Sequence, residues 1–553
     1  MKKFLKRIPG IVAINRLIRH PEEEILRWKE YGKFKKQMGN DLKNGCSDNN
    51  KDILLVVSLM GSSVTGTKME AFLTKAIHLK GLCPYILTSR GDWANRYYRL
   101  LGITNFIYLE EYIEVAKTMV IASEVEESLK TIHTFQNLMD HKYHGVAIGK
   151  YICSSLVRKT YTGSVDIKDP DTRRHIKEYL FNTMVTTIAA EKIFGLLKPE
   201  AAMFLERGYT PYGEFFDVAI NYGLNTIQWC GSHRDDSFTL KRYNKNNMDR
   251  HPASLSEKTW EMLKRMPWRD DFDKYVRDEL FQNYSSGKWF SEVGTQFNTK
   301  LMEPNEVRKM LDIDSSKKTA VLFSHLFWDA TFFWGQDLFN DYREWFIETI
   351  KGASNNNKLN WIIKLHPANI VKLNRDGYDG ELIEKITIKE HIGTLPEHIK
   401  ILEPSTPINT YSIFNIMDYC ITVRGTIGIE AAFFGIPVFT AGTGRYDNHG
   451  FTIDSHTRED YLEKIGRIQE YPPLTDEQRK FACRFACGTF IFRPFNMKSL
   501  NISYKNDKKA TQQIQYRFES RQDLLNAEDV SSFGEWVVNS KDEDYLIPSM
   551  IHK

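Results

Sequence analysis

The sequence has little of what marks several protein classes. Its 553 residues include only 33 glycines and 18 prolines, with no low-complexity tract and no internal repeat. No apolar run reaches the roughly 18 residues that a transmembrane helix needs. Hydrophobic residues make up 42% and charged residues 26% of the chain, as in ordinary globular proteins. These values exclude a disordered, collagen-like or coiled-coil protein.

Cysteine is also scarce. The seven cysteines are odd in number and scattered over the chain, which favours a reducing compartment over a disulfide framework. Cys483 and Cys487 are one helical turn apart, but no second pair of cysteines or histidines follows to complete a zinc site. We therefore predict that both are small buried side chains and that the chain has no zinc site.

A large net charge is absent too, since 75 basic and 71 acidic residues leave only +4, too little to indicate a nucleic-acid partner. The charge is unevenly placed: residues 1–44 hold twelve basic and five acidic residues. Residues 1–19 mix six basic residues with apolar ones and hold no acidic residue. This pattern predicts either an arm that lies on an anionic membrane surface or a solvated helix packed on its own domain.

The same segment is a poor signal peptide. Its apolar stretch is about seven residues long, contains Pro9 and Gly10, and is followed by no small-residue cleavage site. We therefore expect a cytoplasmic protein, peripheral on the inner face of the cell membrane if the basic arm binds lipid.

Buried strands and helices alternate along most of the chain. Residues 53–60 read as a strand buried on both faces, followed by a Gly-containing turn at 61–66 and a helix at 68–79. Further strands are predicted at 84–88, 105–109, 201–205 and 225–229, with helices between them. A second set is predicted at 319–324, 360–365, 399–402, 419–423 and 437–440. This rhythm predicts an α/β fold of two doubly wound, Rossmann-like domains.

The predicted organisation has five parts. They are a basic arm (1–44), a first Rossmann-like, acceptor-side domain (45–234), an insertion or connector of weak apolar periodicity (235–315), a second Rossmann-like, nucleotide-binding domain (316–456), and a helical region long enough to cross back onto the first domain (457–553).

One strand, turn and helix in the second half is suited to binding a nucleotide. The strand 419–423 runs into Arg424 and Gly425, and a helix is predicted to start near Thr426. Free N–H groups at that start would face a phosphate, and Gly425 would let the backbone come close. Glu430 follows one turn later, where a carboxylate could accept hydrogen bonds from a ribose. An ordinary strand-turn-helix with an incidental glutamate is the plainer alternative.

A second motif is His366-Pro367 at the end of the strand 360–365. Proline breaks the ladder and projects the histidine from the strand end into the same cleft. His366 could bind a phosphate or a base edge, and Lys364 would add positive charge nearby.

These two motifs, together with residues 323–331 upstream and 442–452 downstream, resemble the bacterial capsule polysaccharide biosynthesis family, which includes retaining Kdo transferases. The resemblance covers about residues 318–455. It implies a GT-B fold with a cleft between the halves, a nucleotide-activated sugar donor, and a growing surface glycan or lipid-linked acceptor. By position, His366 and Glu430 would be nucleotide ligands.

Catalytic groups are harder to select from sequence. Sugar transfer needs a base for the acceptor hydroxyl or a group that stabilises the developing cation, and stabilisation of the leaving phosphate. Asp329, in an aromatic loop, and Glu206, at the end of a first-domain strand, are the two carboxylate candidates, with Asp92 weaker. Arg207 and Arg424 are candidates for neutralising phosphate, although strand-end arginines often pair with carboxylates instead.

The main hypothesis is a GT-B glycosyltransferase of capsular or lipopolysaccharide-type glycan synthesis. A glycerophosphate or ribitol-phosphate polymer transferase and a non-catalytic capsule assembly or export component are the alternatives. The turn 61–66 lacks the Gly-Lys-Ser/Thr of a P-loop and a full G-x-G-x-x-G, so a dehydrogenase is disfavoured. No cofactor is expected, and metal dependence is left open.

Overall fold

The computed structural model describes residues 21–38, 52–60, 63–92, 95–269, 271–286, 299–329, 331–370, 380–505 and 511–551, and the single residues 18 and 377. The basic arm at 1–17, part of the turn 61–66 and Cys46 lie outside the described residues. The strands are β1 (Ile53–Val57), β2 (Cys83–Thr88), β3 (Asn105–Tyr108), β4 (Ala201–Phe204), β5 (Asn225–Gly231), β6 (Ser237–Tyr243), β7 (Thr319–Phe323), β8 (Asn360–Lys364), β9 (Ile399–Leu402), β10 (Tyr419–Thr422), β11 (Val438–Thr440), β12 (Ile453–Asp454), β13 (Phe495–Asn496), β14 (Leu500–Lys505) and β15 (Thr511–Tyr516).

The α-helices are α1 (Pro21–Met38), α2 (Val64–His78), α3 (Asn95–Leu100), α4 (Leu109–Ala116), α5 (Ala122–Thr131), α6 (Phe135–Met139), α7 (Ile148–Thr160), α8 (Pro170–Leu197), α9 (Tyr212–Asn221), α10 (Glu257–Arg265), α11 (Asp271–Ser286), α12 (Pro304–Leu311), α13 (Tyr342–Ser354), α14 (Ile383–His391), α15 (Thr410–Phe414), α16 (Ile427–Phe433), α17 (Arg458–Gly466), α18 (Asp476–Cys487), α19 (Arg521–Asn526), α20 (Glu528–Val538) and α21 (Pro548–Ile551). A 3-10 turn (Ile468–Glu470) and a π-helical turn (Gly488–Phe492) complete the elements.

Two sheets organise the chain, and the predicted α/β fold of two doubly wound halves is confirmed. The first has seven strands in the order β13-β6-β5-β4-β1-β2-β3, with β1 to β5 parallel. The second has six strands in the order β12-β11-β10-β7-β8-β9, all parallel. Apolar runs such as Ile53–Val57 build these strands because helices cover both faces of each sheet.

The strand order reverses direction at one point in each sheet. In the first sheet the break lies between β1 and β4, and in the second between β7 and β10. At such a break the loops leave the carboxyl ends of neighbouring strands toward opposite faces and open a crevice, where ligands of this fold class bind. The fold therefore places two crevices, one on each sheet.

The region 235–315 differs from its predicted role as a connector. It opens with β6, which pairs antiparallel with β5 and extends the first sheet. α10 and α11 then pack into a hydrophobic cluster of the second half, with Trp260, Leu263 and Val276 buried there. Charged residues on the exposed faces of these helices weaken the apolar periodicity of the sequence. Because β6 belongs to the first sheet and α10 and α11 pack on the second half, the region is shared between the two halves.

The C-terminal region crosses back to the first half, and it is not purely helical. β13 pairs with β6 at the edge of the first sheet, and β14 with β15 forms a hairpin. Phe533 on α20 packs in the same cluster as Phe72 on α2. Cys483 and Cys487 are buried in the second half, as predicted, at 4% and 1% exposure.

One helix, α8, is long and apolar enough by length and composition to cross a membrane. Most of its apolar window is buried within the fold, at 61%. Ile176, Leu180 and Phe194 along it belong to the core of the first half.

The aromatic segment 325–334 joins the two halves. Leu326, Trp328 and Phe332 leave the second sheet and are buried in the core cluster of the first half. The ring of Trp328 meets Tyr161 edge-on at 4.9 Å between centroids. Ser154 Oγ donates a hydrogen bond to the carbonyl of Thr331 at 2.7 Å. The segment acts as a plug between the halves, and its aromatic rings are core residues.

We predict that Trp328→Ala lowers the free energy of unfolding by about 3–5 kcal/mol, because it leaves a cavity between the two halves. Denaturant titration followed by circular dichroism measures the loss. The matched control is Trp28→Ala, since Trp28 is 49% exposed and Trp328 is 1% exposed. Equal stability of the two variants would show that the plug does not hold the halves together.

Candidate functional site

The two crevices meet in one cleft. Glu206 follows β4 and His325 follows β7, so each lies beside the break in its own sheet. Asp329, four residues after His325, accepts a hydrogen bond from the hydroxyl of Tyr209 at 3.1 Å, across the boundary between the halves. Its charge also raises the pKa of Glu206, which places the two carboxylates near each other. The sequence-predicted catalytic candidates therefore lie in one place.

Glu206 is held by its own turn. Its Oε1 accepts hydrogen bonds from the backbone N–H groups of Arg207 at 2.7 Å and Gly208 at 3.0 Å. Burial raises the pKa of the carboxyl, and these two N–H groups oppose that rise. Within the described residues no group donates to Oε2. A fixed carboxylate with one oxygen unengaged and a raised pKa has the properties of a general base.

Asp329 is more constrained than predicted. Besides the bond from Tyr209, Nη1 of Arg158 lies 3.6 Å from Oδ1 of Asp329. The rings around it, such as Trp328, are buried in the core. Asp329 is thus suited to support Glu206 through its charge. Asp92 lies at the same edge, because its charge and that of Glu206 both raise the pKa of Tyr212.

Glu430 and Lys364 lie at the carboxyl edge of the second sheet. Glu430 is 3% exposed, and its Oε2 accepts a hydrogen bond from the hydroxyl of Tyr284 on α11. Burial raises the pKa of Glu430 to about 7, against the stabilising charges of Arg445 and Lys364. Lys364 is 6% exposed at the end of β8, and burial lowers its pKa to about 8. The sequence predicted both residues but not the tyrosine.

Lys364 has an uncommon environment for a buried lysine. Nζ makes no hydrogen bond or ion pair with a described residue, and the ring of Phe323 is 6.0 Å from it. The only opposite charge that acts on its pKa in this part of the structure is Glu430. Buried ammonium groups are normally paired, so Lys364 is available to an anion.

Arg424 does not offer its charge to a ligand, which corrects the prediction. Its guanidinium forms an ion pair with Asp337 and donates to the hydroxyl of Tyr342 at 3.3 Å. Asp337 and the tyrosine oxygen raise its pKa. Arg424 instead anchors the segment 336–337 under the turn that carries it.

Arg207 is corrected for the same kind of reason. It is buried between the rings of Phe216, Tyr243 and Trp334, at 4.5, 4.4 and 4.3 Å from their centroids. Its terminal nitrogens donate to backbone carbonyls, one of them that of Arg250 at 3.1 Å. Arg207 therefore fastens the connector to the first half and is not directed at a phosphate.

Gly425 and Thr426 are used differently from the prediction as well. A Cβ on Gly425 would lie 2.9 Å from Oγ1 of Thr422 and 3.3 Å from Cε1 of His325, so the close approach is to those side chains. The helix α16 has seven residues, and Thr426 at its start accepts a hydrogen bond from Nη2 of Arg445 at 2.8 Å. The first turn is thus partly covered by Arg445.

Two histidines line the second crevice. His325 has a left-handed backbone (φ 62°), and its Nε2 accepts from the N–H of Val423 at 3.0 Å. Burial lowers the pKa of His325 to about 3, so its ring is neutral. Nδ1 of the partly exposed His366 accepts from the N–H of Ala368 at 3.1 Å, a contact that orients the ring just past the end of β8.

Sequence reasoning missed His325, Tyr284 and Arg445. His325 lies just past the end of β7, as His366 lies just past the end of β8, and this shared position is a signal that could have identified His325. Tyr284 comes from a helix whose packing partner only the fold reveals. Among the residues that the structure describes, no group of three or more His, Cys, Asp or Glu side chains is placed to hold a metal ion.

The sequence matches no protein-family model and no curated protein. Among solved structures it is similar to the beta Kdo 2,4 transferase of Thermosulfurimonas dismutans KpsC, with 13% identity and a TM-score of 0.32 over 52% of this chain and 79% of that one. The beta Kdo 2,7 transferase of the same protein has 13% identity and a TM-score of 0.33 over 59% and 85%. A Neisseria meningitidis UDP-GlcNAc 2-epimerase bound to UDP-GlcNAc has 10% identity and a TM-score of 0.26 over 79% and 97%. Transferases and an epimerase appear together, so these similarities assign no activity.

We predict that Glu430→Gln gains stability over the wild type as pH rises. The folded state binds this proton more tightly than the unfolded chain, whose glutamates titrate near 4.3, so the wild type loses stability between about pH 4.3 and pH 7. The variant escapes that loss, and its advantage should grow by about 2–3 kcal/mol from pH 5 to pH 8.5 in urea titrations. Glu477→Gln, at an exposed site, is the control. A pH-independent difference for Glu430→Gln would show that Glu430 is ionised throughout.

Proposed function

We propose that this chain is a glycosyltransferase that moves a sugar from a nucleotide-activated donor to a growing surface glycan. The observation that carries the proposal is that Glu206 lies at the carboxyl edge of the first sheet, while Lys364 and Glu430 lie at the carboxyl edge of the second. Glu206 can act as a base. Lys364 is a buried cation suited to a phosphate, and Glu430 is a carboxylate suited to the hydroxyls of a ribose.

The donor side explains nucleotide binding in physical terms. The ammonium of Lys364 loses a hydration shell on burial and gains no acceptor among the described residues, so a phosphate oxygen would restore the lost interaction. Glu430 has one oxygen bonded to Tyr284, and its other oxygen can accept from ribose hydroxyls. His366, just past the end of β8, is the third residue that we assign to nucleotide binding. These three are among the six nucleotide ligands predicted from the sequence.

The acceptor side explains the transfer step. Oε2 of Glu206 accepts the proton of an acceptor hydroxyl while the oxygen of that hydroxyl attacks the anomeric carbon of the donor sugar. The bond between the anomeric carbon and the phosphate oxygen breaks, and the nucleotide leaves with the electron pair. Burial and, to a smaller extent, the negative charge of Asp329 raise the pKa of Glu206, which favours this role.

The proposal is tested by incubating the full chain with CMP-, UDP-, GDP- and CDP-activated donors and lipid-linked acceptors, and by measuring free nucleotide and product mass. A mass increase of one sugar supports the proposal. A mass increase of a sugar phosphate or polyol phosphate would identify a phosphodiester polymer transferase. Absence of both nucleotide release and nucleotide-induced thermal shift would overturn the enzyme assignment.

We predict that Glu206→Gln lowers the turnover of sugar transfer by about 100-fold or more, with donor affinity unchanged, because the amide cannot accept the proton. The measurement is the rate of nucleotide release at saturating donor, with donor affinity from calorimetry. Glu200→Gln, just before the amino end of the same strand and exposed, is the matched control. Full activity of Glu206→Gln would remove Glu206 from the mechanism.

The basic arm supports a position at the membrane. Residues 1–19 carry six basic residues, and the adjoining helix α1 exposes Ile25 and Trp28 at 48% and 49%. Basic charge beside exposed apolar residues suits an anionic bilayer surface. We extend the proposal to a cytoplasmic enzyme bound at the inner face of the cell membrane.

We expect deletion of residues 1–19 to abolish sedimentation with vesicles that contain anionic lipid, at physiological ionic strength. Vesicles of neutral lipid should bind neither form, and rising salt should release the wild type. Binding of the shortened chain equal to that of the full chain would place the membrane contact elsewhere.

A further inference from the structure

Arg445 lies in the cleft, on the loop that follows β11. It forms no ion pair with a described residue, and some of its N–H groups have no acceptor. We propose that Arg445 binds the phosphate group of the nucleotide donor and stabilises the charge that develops on it as the sugar leaves. This inference rests on the proposed function and names a residue and a role that the proposal above does not use.

The contacts of Arg445 leave part of its guanidinium available. Nη2 donates to Oγ1 of Thr426 at 2.8 Å, and Nη1 donates to the carbonyl of Arg424 at 3.3 Å. Nε is buried and has no hydrogen-bond partner in the structure as described. A guanidinium has five N–H groups, so three are left for a ligand. The two bonds that are made orient the group over the start of α16.

No carboxylate of a described residue lies within ion-pair distance of Arg445, although the charge of Glu430 acts on it from farther away. Arg424 pairs with Asp337 and Arg493 with Asp544, whereas Arg445 has no ion pair with any described residue. Burial lowers its pKa. Arg445 is half-buried and its Nε is fully buried, so part of the desolvation of its charge is uncompensated. An anion would supply the missing compensation.

The surroundings add to this excess of positive charge. His251 lies beside Arg445, and burial together with the charges of Arg445, Arg424, Arg207 and Arg493 lowers its pKa well below the usual value. Its Nδ1 accepts from the N–H of Ala253 at 3.0 Å, so the ring is neutral and offers an N–H at Nε2. Several cations with few carboxylates favour a ligand with one or more negative charges.

The position of Arg445 matches the point where a donor would break. Its charge acts on the pKa of Glu430, on the donor side, and on that of Cys230 at the end of β5. The charge of Glu206 acts on the same thiol. Arg445 is therefore near enough to Glu430 and to Cys230 for its charge to act on both, and the proposed function places the leaving phosphate in this region. Lys364 binds the same anion from the β8 side.

The loop holds Arg445 in this position before any ligand binds. Oδ1 of Asp447 accepts from the N–H groups of Gly444 and Arg445, and the hydroxyl of Tyr446 donates to the carbonyl of Gly425 at 2.9 Å. A Cβ on Gly428 would lie 2.2 Å from the Tyr446 oxygen, so the loop is packed closely on α16. Such a fixed cation stabilises a developing charge without reorganisation.

The test compares ligands with and without phosphate. The affinities of the full chain for UDP, CMP, uridine, cytidine and inorganic pyrophosphate are measured by calorimetry for the wild type, Arg445→Gln, Arg445→Lys and the exposed control Arg467→Gln. We expect Arg445→Gln to bind the nucleotides about 10-fold or more weakly and the nucleosides as the wild type does. Arg445→Lys keeps the positive charge but loses the planar guanidinium, so its nucleotide affinity should lie between those of the wild type and Arg445→Gln.

The outcomes separate this inference from the proposed function. Equal weakening of nucleotide and nucleoside, or no weakening, would overturn the role of Arg445 while nucleotide binding by the wild type still supports the transferase. No nucleotide binding by the wild type would overturn the proposed function, and pyrophosphate binding that depends on Arg445 would then still support the anion site. If Arg445→Gln does not fold, the ratio of nucleotide to nucleoside affinity in Arg445→Lys decides. Without ligand we expect Arg445→Gln to be at least as stable as the wild type, whereas a structural role would make it less stable.

Discussion

The packing of the segment 325–334 into the first-half core is the interaction on which the rest of the cleft depends. Parallel strands bring all their carboxyl ends to one edge of a sheet, but nothing in either sheet fixes how the two edges face each other. Trp328 and Phe332 do this, because they are anchored in one half and covalently attached to a strand of the other. The hydrogen bond from Tyr209 to Asp329 is a direct result of that arrangement.

The cleft also shows how burial separates structural charges from those available to a ligand. Arg424 and Arg207 are each 3% exposed, and their terminal donors are engaged by protein oxygens. Lys364 is 6% exposed and Arg445 is half-buried, and neither has an ion pair with a described residue. Since an uncompensated buried charge destabilises a fold, its persistence at the carboxyl edge of the second sheet favours a ligand role over a packing role.

The sequence was sufficient for the fold because apolar runs of four to seven residues, each followed by a turn and an amphipathic segment, specify parallel strands locally. The sequence also predicted the positions of Glu206, Lys364 and His366 at strand ends, and that of Glu430 one helical turn beyond a strand. It could not show that Asp337 neutralises Arg424, because that contact joins segments 87 residues apart. The sequence did not predict that residues 235–315 are shared between the halves for the same reason, because the strand pairing and helix packing of this region are long-range.

Arginine at a strand end is the clearest example of this limit. Sequence position places Arg424 and Arg445 on neighbouring loops of one sheet, after β10 and after β11, and chemistry alone makes them equivalent phosphate ligands. The difference is a single carboxylate, Asp337, which forms an ion pair with the first and not with the second. With Asp337 present, Arg424 becomes part of the scaffold that positions the turn, and its carbonyl accepts a hydrogen bond from Arg445. One arginine thus orients the other, and the phosphate-binding role moves from the residue that the motif indicates to the residue that the fold leaves uncompensated.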